Sequence, residues 1–220
     1  MSGTRYTQFC ALARAAEIVG ERWTLLIVRE LLLGPTRFGD LAARLDGVSP
    51  ALLTGRLNAL MESGVIRRAI LPAPFNVQVY ELTETGRALQ PAIRELIRWG
   101  GRFLFPMRED DTFEPDWVLL ALDAIARREP TPACRIGLRV PHPDGIAGFV
   151  IEGGPEGTRI TKGELAEGAT IEARFDVFLR ILARQLSLDA AIAARQVRVQ
   201  GSARTLHKLH HLFDLATARR

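Results

Sequence analysis

The first half of the chain changes its apolar spacing from a helical to an extended pattern, and this change constrains the fold more than any other feature. Residues 37–45 place apolar side chains three and four positions apart, and a short turn follows. A second helix begins at Ser49 and Pro50, because the serine oxygen can cap a helix and proline suits its first position. Residues 65–70 and 77–82 are rich in Val and Ile, which predicts two strands joined as a hairpin.

The segments on either side of this region complete an N-terminal domain. Helical spacing over residues 12–19 and 25–32 predicts two further helices. Residues 83–105 predict one long amphipathic helix, bent at Pro91, with an apolar stripe that one small domain cannot bury alone. We therefore expect a homodimer. A polar, acidic stretch follows, so the first domain is expected to cover residues 1–105.

The second half predicts an antiparallel sheet covered by helices, in a domain over residues 113–220. Its strands alternate apolar with polar residues or end at turns rich in Gly and Pro. The predicted strands cover residues 134–140, 146–152, 158–162, 170–175 and 197–200, and the predicted helices cover residues 116–128, 176–186, 188–194 and 203–216. The expected fold class of the whole chain is therefore α+β.

Other classes of protein are disfavoured by what the sequence lacks. The first nine residues contain no apolar stretch behind a basic start, and no apolar run is long enough to span a membrane. Cys10 and Cys134 match neither a disulfide framework nor a zinc pattern, which fits a reducing cytoplasm. No nucleophile elbow, P-loop, metalloprotease or dinucleotide motif is present, so we predict neither an enzyme nor a cofactor.

Three histidines near the end of the chain are the one cluster whose spacing suits a metal ion. His207, His210 and His211 share a predicted helical turn, with Asp214 beyond them. Such a cluster near a helix end more often interacts with the last carbonyls or with solvent. We therefore expect no metal site.

The excess positive charge of the chain is confined to its first half. Residues 1–105 contain 13 arginines, no lysine and 9 acidic residues, whereas residues 106–220 contain 16 basic and 16 acidic residues. A positive domain beside a neutral one indicates a polyanionic partner for the first domain only.

The predicted helices and hairpin of the first domain are the parts of a winged helix-turn-helix, in which the second helix lies in the major groove of DNA. Side chains opposite its apolar face are candidates for base edges, and arginines around it are candidates for phosphates or the minor groove. The alternative is that each arginine is an ordinary solvated surface charge. The candidate DNA-binding residues are Arg37, Ser49, Pro50, Thr54, Arg56, Asn58, Arg67 and Arg68. Two-fold symmetry would make the operator a near-palindrome.

Residues 8–104 resemble the HxlR-type regulators, which are related to the MarR group. The matching residues are Cys10, residues 18–27, 31–35, 37–41 and 48–54, Arg56, Leu57, Leu60, and residues 64–68 and 80–86. The resemblance implies a winged-helix regulator that binds double-stranded DNA.

The chain departs from this family at two places. Ala51 stands where the family usually has a basic residue, and residues 71–78 of the wing loop carry no positive charge. Both departures reduce the number of expected phosphate contacts. Cys10 matches a cysteine that resembles a redox switch in some members, and the alternative, which we favour, is a buried and inert thiol.

Residues 165–213 resemble, more weakly, the end of a sterol-carrier-protein domain. Such domains enclose an apolar tunnel, so the resemblance implies an apolar or amphipathic small-molecule ligand. The candidate ligand-binding residues are Ile136, Leu138, Phe149, Phe178 and Leu182. The alternative is a packed core without a cavity.

These features predict a DNA-binding transcriptional regulator whose second domain responds to the ligand. We expect repression rather than activation. A lipid or small-molecule binding module is the alternative, in which the winged helix serves mainly dimerisation or protein contact.

Overall fold

The chain divides into two compact units, Met1–Ile93 and Arg94–Arg220. The computed structural model describes residues 5–108 and 110–215. The helices of the first unit are α1 (Ala11–Val19), α2 (Thr24–Leu32), α3 (Phe38–Arg44), α4 (Pro50–Glu62) and α5 (Glu84–Arg87), and α6 (Gln90–Gly100) contains the division. Apolar side chains from these helices form the core of the first unit, among them Ile27, Leu41, Leu53, Leu57 and Leu60. The helical spacing in the sequence therefore identified the buried faces.

The start of α4 follows the prediction closely. The Ser49 Oγ accepts a hydrogen bond from the Leu52 backbone N–H at 3.2 Å, and Pro50 is the first helical residue. Gly47 in the preceding turn has a φ of 83°, and Gly64 after the helix has a φ of 70°. Glycine adopts this left-handed backbone conformation without steric cost. The turn before α4 and the end of α4 are therefore both determined by the local sequence.

A two-stranded hairpin follows α4. Strand β1 (Ile66–Ile70) pairs antiparallel with β2 (Gln78–Leu82), with Ile66 opposite Leu82 and Ile70 opposite Gln78. Thr36, just before α3, forms a bridge with Tyr80 of β2 through backbone hydrogen bonds of 2.9 and 2.8 Å. The hairpin is thereby joined to the start of α3, as in a winged helix-turn-helix.

The single helix predicted over residues 83–105 is wrong in its continuity. The chain instead forms α5, then α6, and then a short 3₁₀ helix (Gly101–Phe103). Pro91 lacks an N–H and its ring would clash with the Arg87 carbonyl, so a continuous helix breaks before it. Thr83 caps the first piece by accepting a hydrogen bond from the Gly86 N–H at 3.1 Å.

The second unit contains a five-stranded sheet with strand order β5-β4-β3-β6-β7. The strands are β3 (Cys134–His142), β4 (Gly145–Gly154), β5 (Gly157–Lys162), β6 (Ala169–Ala173) and β7 (Val197–Gln200). Three of the four pairings are antiparallel, and β3 pairs with β6 in parallel. Residues 163–168 connect β5 to β6 across the sheet instead of by a hairpin turn, which allows this parallel pairing. The α+β class is confirmed, with a mixed sheet in place of a wholly antiparallel one.

Helices pack on one face of this sheet. They are α7 (Trp117–Ile125), α8 (Phe175–Leu182), α9 (Leu188–Ala193), α10 (Ala203–Leu206) and α11 (Leu209–Leu212). The last predicted helix, over residues 203–216, is divided into α10 and α11, and Phe213 leaves it to form a bridge with Ala126. Ala216, its predicted end, lies outside the described residues. Within the described parts of the chain, no helix is both long and apolar enough to cross a membrane.

Candidate nucleic-acid interface

Helix α4 presents a narrow exposed stripe of small and polar side chains. Ala51, Thr54 and Asn58 are exposed and are spaced three and four residues apart, so they lie on one side of the helix. The opposite side is buried through Leu53, Leu57 and Leu60. A methyl group added at Gly55 would meet no atom within 4 Å, so the surface beside the stripe is open. A helix with this shape can approach the floor of a groove closely.

The polar side chains in this stripe, and Ser49 at the start of the helix, differ in the hydrogen bonds that they already form. The Ser49 Oγ is occupied as the helix cap, and the Thr54 Oγ1 donates to the Pro50 carbonyl at 2.8 Å. Each hydroxyl keeps further hydrogen-bonding capacity, because a hydroxyl is one donor and two acceptors. Among the described residues, the Asn58 side chain has no hydrogen-bond partner. Asn58 is therefore the stripe residue most available to a base edge.

Two of the candidate arginines, one before α3 and one within α4, differ in whether their charge is already paired. Arg37 precedes α3 as its N-cap residue and is exposed, with no side-chain partner among residues 5–108 and 110–215. The Arg56 Nη2 donates to the Glu21 carboxylate at 2.8 Å, and its side chain is 24% exposed. Arg56 thus links α4 to the segment before α2, and a phosphate contact would have to share that pair.

The remaining two arginines lie side by side on β1. The Arg67 guanidinium reaches the carboxylate of Glu81, its cross-strand neighbour, at 2.7 Å. The Arg68 guanidinium lies 5.8 Å from the ring centroid of Tyr80, which is also its cross-strand neighbour. Both arginines remain exposed, so both can reach a phosphate in addition to these partners.

A buried carboxylate beneath the helix-turn-helix was not identified from the sequence. Glu30 of α2 is fully buried, and it pairs with Arg29 at 2.7 Å and with Arg44 of α3 at 3.4 Å. A buried charge needs such partners, so this cluster connects α2 to α3. The signal in the sequence was the charged pair Arg29-Glu30, which interrupts an otherwise apolar segment that ends at Leu33.

The five candidate ligand residues of the second unit lie together in its core. Ile136, Leu138, Phe149, Phe178 and Leu182 are all buried and belong to one continuous apolar cluster that joins the sheet to the helices. A surface pocket of about 390 Å³ lies elsewhere, at the turn between β4 and β5, and is lined by residues 152–160 together with Asp123 and Arg128.

The histidine cluster is divided by the break between α10 and α11. Among residues 5–108 and 110–215, no group of three or more metal-ligating side chains converges on one point. Burial lowers the pKa of His210, and the positive field of Arg184 and the neighbouring His211 and His207 lowers it further. His210 therefore binds a proton less readily than an ordinary histidine.

The two cysteines lie in different environments. Cys10 is exposed, immediately before α1, so the predicted buried position for this thiol is wrong. Cys134 is half-buried at the start of β3. Burial raises the pKa of the Cys134 thiol, although a hydrogen bond from Gly153 and the charge of Lys208 oppose this shift. A thiolate forms less readily at Cys134 than in an ordinary cysteine.

Comparison with known proteins identifies the protein family that the first half of the chain matches. The sequence pattern of the HxlR-like helix-turn-helix family matches residues 18–108. The HTH-type transcriptional regulator Mb3122 of Mycobacterium bovis is 45% identical over 94 residues, which cover 43% of this chain and 59% of the relative. The chain thus spans less than two thirds of that relative. The regulator YvaP of Bacillus subtilis is 36% identical over 94 residues, which cover 42% of this chain and 86% of the relative.

Solved structures of similar proteins match part of this chain. The reduced form of the transcriptional regulator YodB from B. subtilis is 31% identical, with a TM-score of 0.39, over 46% of this chain and 100% of that structure. The structure of PA1607, a putative transcription factor, is 30% identical, with a TM-score of 0.43, over 63% of this chain and 88% of that structure. By its sequence relationship to regulators such as YvaP, the chain belongs to the HxlR-like helix-turn-helix family.

Proposed function

We propose that this protein is a transcriptional repressor that binds double-stranded DNA as a homodimer, with α4 in the major groove. The observation that carries the proposal is the exposed stripe of Ala51, Thr54 and Asn58 on a helix whose other side is buried. A major groove about 12 Å wide admits one helix, and an asparagine can form two hydrogen bonds with adenine. The relatives described above are named as transcriptional regulators, which supports the same function.

The arginines around α4 would position the protein on the phosphate backbone. Arg37, at the start of α3, is the strongest candidate because its charge has no partner within the described residues. Arg67 and Arg68 on the hairpin are exposed but already have Glu81 and Tyr80 beside them. Phosphate contacts fix the register of the protein and carry no sequence information themselves.

The homodimer part of the proposal is supported by apolar side chains that the second unit leaves in solvent. Trp99 and Phe103 are 59% and 67% exposed, and Leu96 and Leu104 are also exposed. A second copy covering this segment would remove that apolar surface from water. Sedimentation at micromolar concentration is expected to give the dimer mass, and a monomer mass would contradict this part.

With two-fold symmetry, the operator would be a near-palindrome with half-site centres roughly 34–36 Å apart. The direct test is to incubate the purified protein with fragments of its own genome and to sequence the retained DNA. A recurring near-palindromic sequence is the expected result. Retention of DNA without any recurring sequence would contradict the proposal.

We also propose that residues 113–220 bind an apolar or amphipathic small molecule at Ile136, Leu138, Phe149, Phe178 and Leu182. The support is their continuity in one apolar cluster, together with the resemblance of this region to sterol-carrier-protein domains. Because the five side chains are buried against each other, entry of a ligand requires the cluster to open. Fatty-acid and aromatic probes are expected to raise the melting temperature, and no change with any probe would assign the cluster a purely structural role.

A small-molecule binding module is the second candidate, with the winged helix serving dimerisation or protein contact. The observation that favours it is the lack of charge in the wing loop, together with the pairing of Arg56 by Glu21. This candidate predicts that probes bind to the second unit while no genomic DNA is retained. For both candidate functions we propose that the protein is cytoplasmic. In both, residues 1–105 form the first domain.

Oxidation of Cys10 is a second signal to which the proposed regulator would respond. Its thiol is exposed immediately before α1, so an oxidant can reach it. We include in the proposal a disulfide between the Cys10 thiols of the two subunits, formed when an oxidant such as diamide takes up their two electrons and two protons. Operator affinity measured before and after treatment with diamide, in the parent and in Cys10→Ser, tests it. Equal affinities in all four samples would remove Cys10 from the regulatory scheme.

A further inference from the structure

The tip of the β1–β2 hairpin is exposed, apolar and uncharged. Phe75 is 64% exposed, and Pro72 and Pro74 beside it are exposed as well. The stretch from residue 69 to residue 80 contains no charged side chain, and its exposed polar groups include the amides of Asn76 and Gln78. An exposed phenylalanine directly after a Pro-Ala-Pro segment is an unusual choice for a loop that only connects two strands.

Backbone hydrogen bonds hold this tip in a defined shape. The Leu71 N–H donates to the Val77 carbonyl at 3.0 Å, and the Phe75 N–H donates to the Pro72 carbonyl at 3.2 Å. The rings of Pro72 and Pro74 fix φ at two further positions. The loop therefore holds Phe75 in solvent, and little conformational entropy remains to be lost when the tip binds a partner.

The base of the hairpin is positive and is attached to the helix-turn-helix. Thr36, which precedes α3, is hydrogen-bonded to Tyr80 of β2 in both directions. Arg67 and Arg68 project from β1 at this base. With a rise of about 3.4 Å per residue, the strand carries the chain roughly 7 Å beyond Arg68 before the loop begins. That length is comparable with the depth of the DNA minor groove, about 7.5 Å.

Building on the proposed DNA binding, we propose that the hairpin tip is an apolar wedge that enters the minor groove, with Phe75 inserted between base pairs. Arg67 and Arg68 would contact the phosphates at the rim of the groove, and the amides of Asn76 and Gln78 would face the acceptors on the base edges. Minor-groove proteins combine these components: apolar wedges, asparagine or glutamine, and a positive approach. The lack of acidic residues from 69 to 80 removes repulsion from phosphate.

Insertion of Phe75 predicts a bend in the operator. A wedge that partly unstacks a base step kinks the duplex by about 20–90°. Pyrimidine–purine steps unstack most easily, so TA or CA/TG steps are expected where the hairpin lies, beyond each half-site. This preference would give sequence specificity at positions that α4 does not contact.

The test uses the full-length protein and its recovered operator, labelled with a fluorophore pair at its ends and with 2-aminopurine at the flanking step. The parent is expected to bend the DNA by at least about 20° and to raise the 2-aminopurine fluorescence. With Phe75→Ala, the bend and the fluorescence change should be absent, and the operator affinity should fall about tenfold. Phe75→Leu, which keeps an apolar wedge, should retain most of all three, and equal melting temperatures would show that both variants fold.

Three results would overturn the wedge. If the parent binds the operator without bending it, or if Phe75→Ala binds and bends like the parent, the tip does not enter the groove while the proposed DNA binding stands. In the second case the exposed ring would be assigned to a protein partner instead. If the parent retains no specific DNA at all, the proposed function fails and the wedge fails with it.

Discussion

The two units of this protein differ in where their candidate sites lie and in whether they bury a charge. The first unit has a fully buried carboxylate, Glu30, and an exposed stripe on α4 that includes Asn58. The second unit buries a continuous apolar cluster, its candidate site lies inside that cluster, and ion pairs such as Arg135 with Glu152 at 2.7 Å lie at its surface. An outward-facing site is visible in a sequence because exposed polar residues repeat with the helical period. A site inside a core gives the same pattern as packing alone.

The largest effect on stability is expected from truncating a side chain in the apolar cluster of the second unit. Phe178 is fully buried, so Phe178→Ala is expected to reduce the free energy of unfolding by about 3–5 kcal/mol in chemical denaturation. Ile146→Ala, at a 44% exposed position of the same unit, is the matched control and should cost less than about 0.5 kcal/mol. A loss of under about 1 kcal/mol at Phe178 would mean that the cluster is loosely packed, as in a ligand cavity.

The buried carboxylate of the first unit gives the next largest effect. Glu30→Ala leaves Arg29 and Arg44 without their shared partner, but both guanidinium groups keep access to water. We therefore expect a loss of about 3 kcal/mol, at the lower end for a broken buried ion pair. Glu62→Ala, on the exposed side of α4, should change stability by less than about 0.5 kcal/mol. Equal effects from the two substitutions would show that burial of Glu30 does not matter.

The cysteines allow the units to be compared without mutation. Cys10 is exposed, whereas Cys134 is half-buried with a pKa raised by burial. Iodoacetamide at neutral pH is therefore expected to modify Cys10 several-fold faster than Cys134, because the thiolate is the reactive form. Mass spectrometry of the two cysteine peptides over time measures both rates. Faster modification of Cys134 would contradict its described environment.

The smallest expected effect is a pH dependence from His210. Its folded-state pKa is lowered by burial and by Arg184, His211 and His207. The unfolded chain then binds a proton more readily, so this contribution to stability is complete above pH about 6.5 and is lost as the pH falls below it. His210→Gln should lose less melting temperature than the parent between pH 7.5 and pH 5.5, while the control His142→Gln should follow the parent. An identical pH dependence in all three would exclude His210 as a contributor.

These differences also explain which parts of the fold could be predicted. Ser49-Pro50 and Gly64 mark the ends of α4 through local chemistry, and the structure confirms both. The pairing of β3 with β6 is a long-range choice among strands of similar composition, and local patterns do not contain it. The burial of Glu30 likewise depends on Arg44, which lies 14 residues away on α3. The sequence pattern does not single out Phe75, because a loop residue follows no hydrophobic period.

In the proposed complex α4 reads bases while the arginines position the protein, and a salt titration of operator binding distinguishes these two roles. Affinities of the parent, Asn58→Ala and Arg37→Ala are measured on the operator and on random DNA between about 50 and about 200 mM salt. Asn58→Ala is expected to lose about 1–3 kcal/mol on the operator and little on random DNA. Arg37→Ala should weaken binding to both and flatten the log–log salt slope by about one unit. If both variants bind both DNAs as the parent does, α4 does not lie in the major groove as proposed.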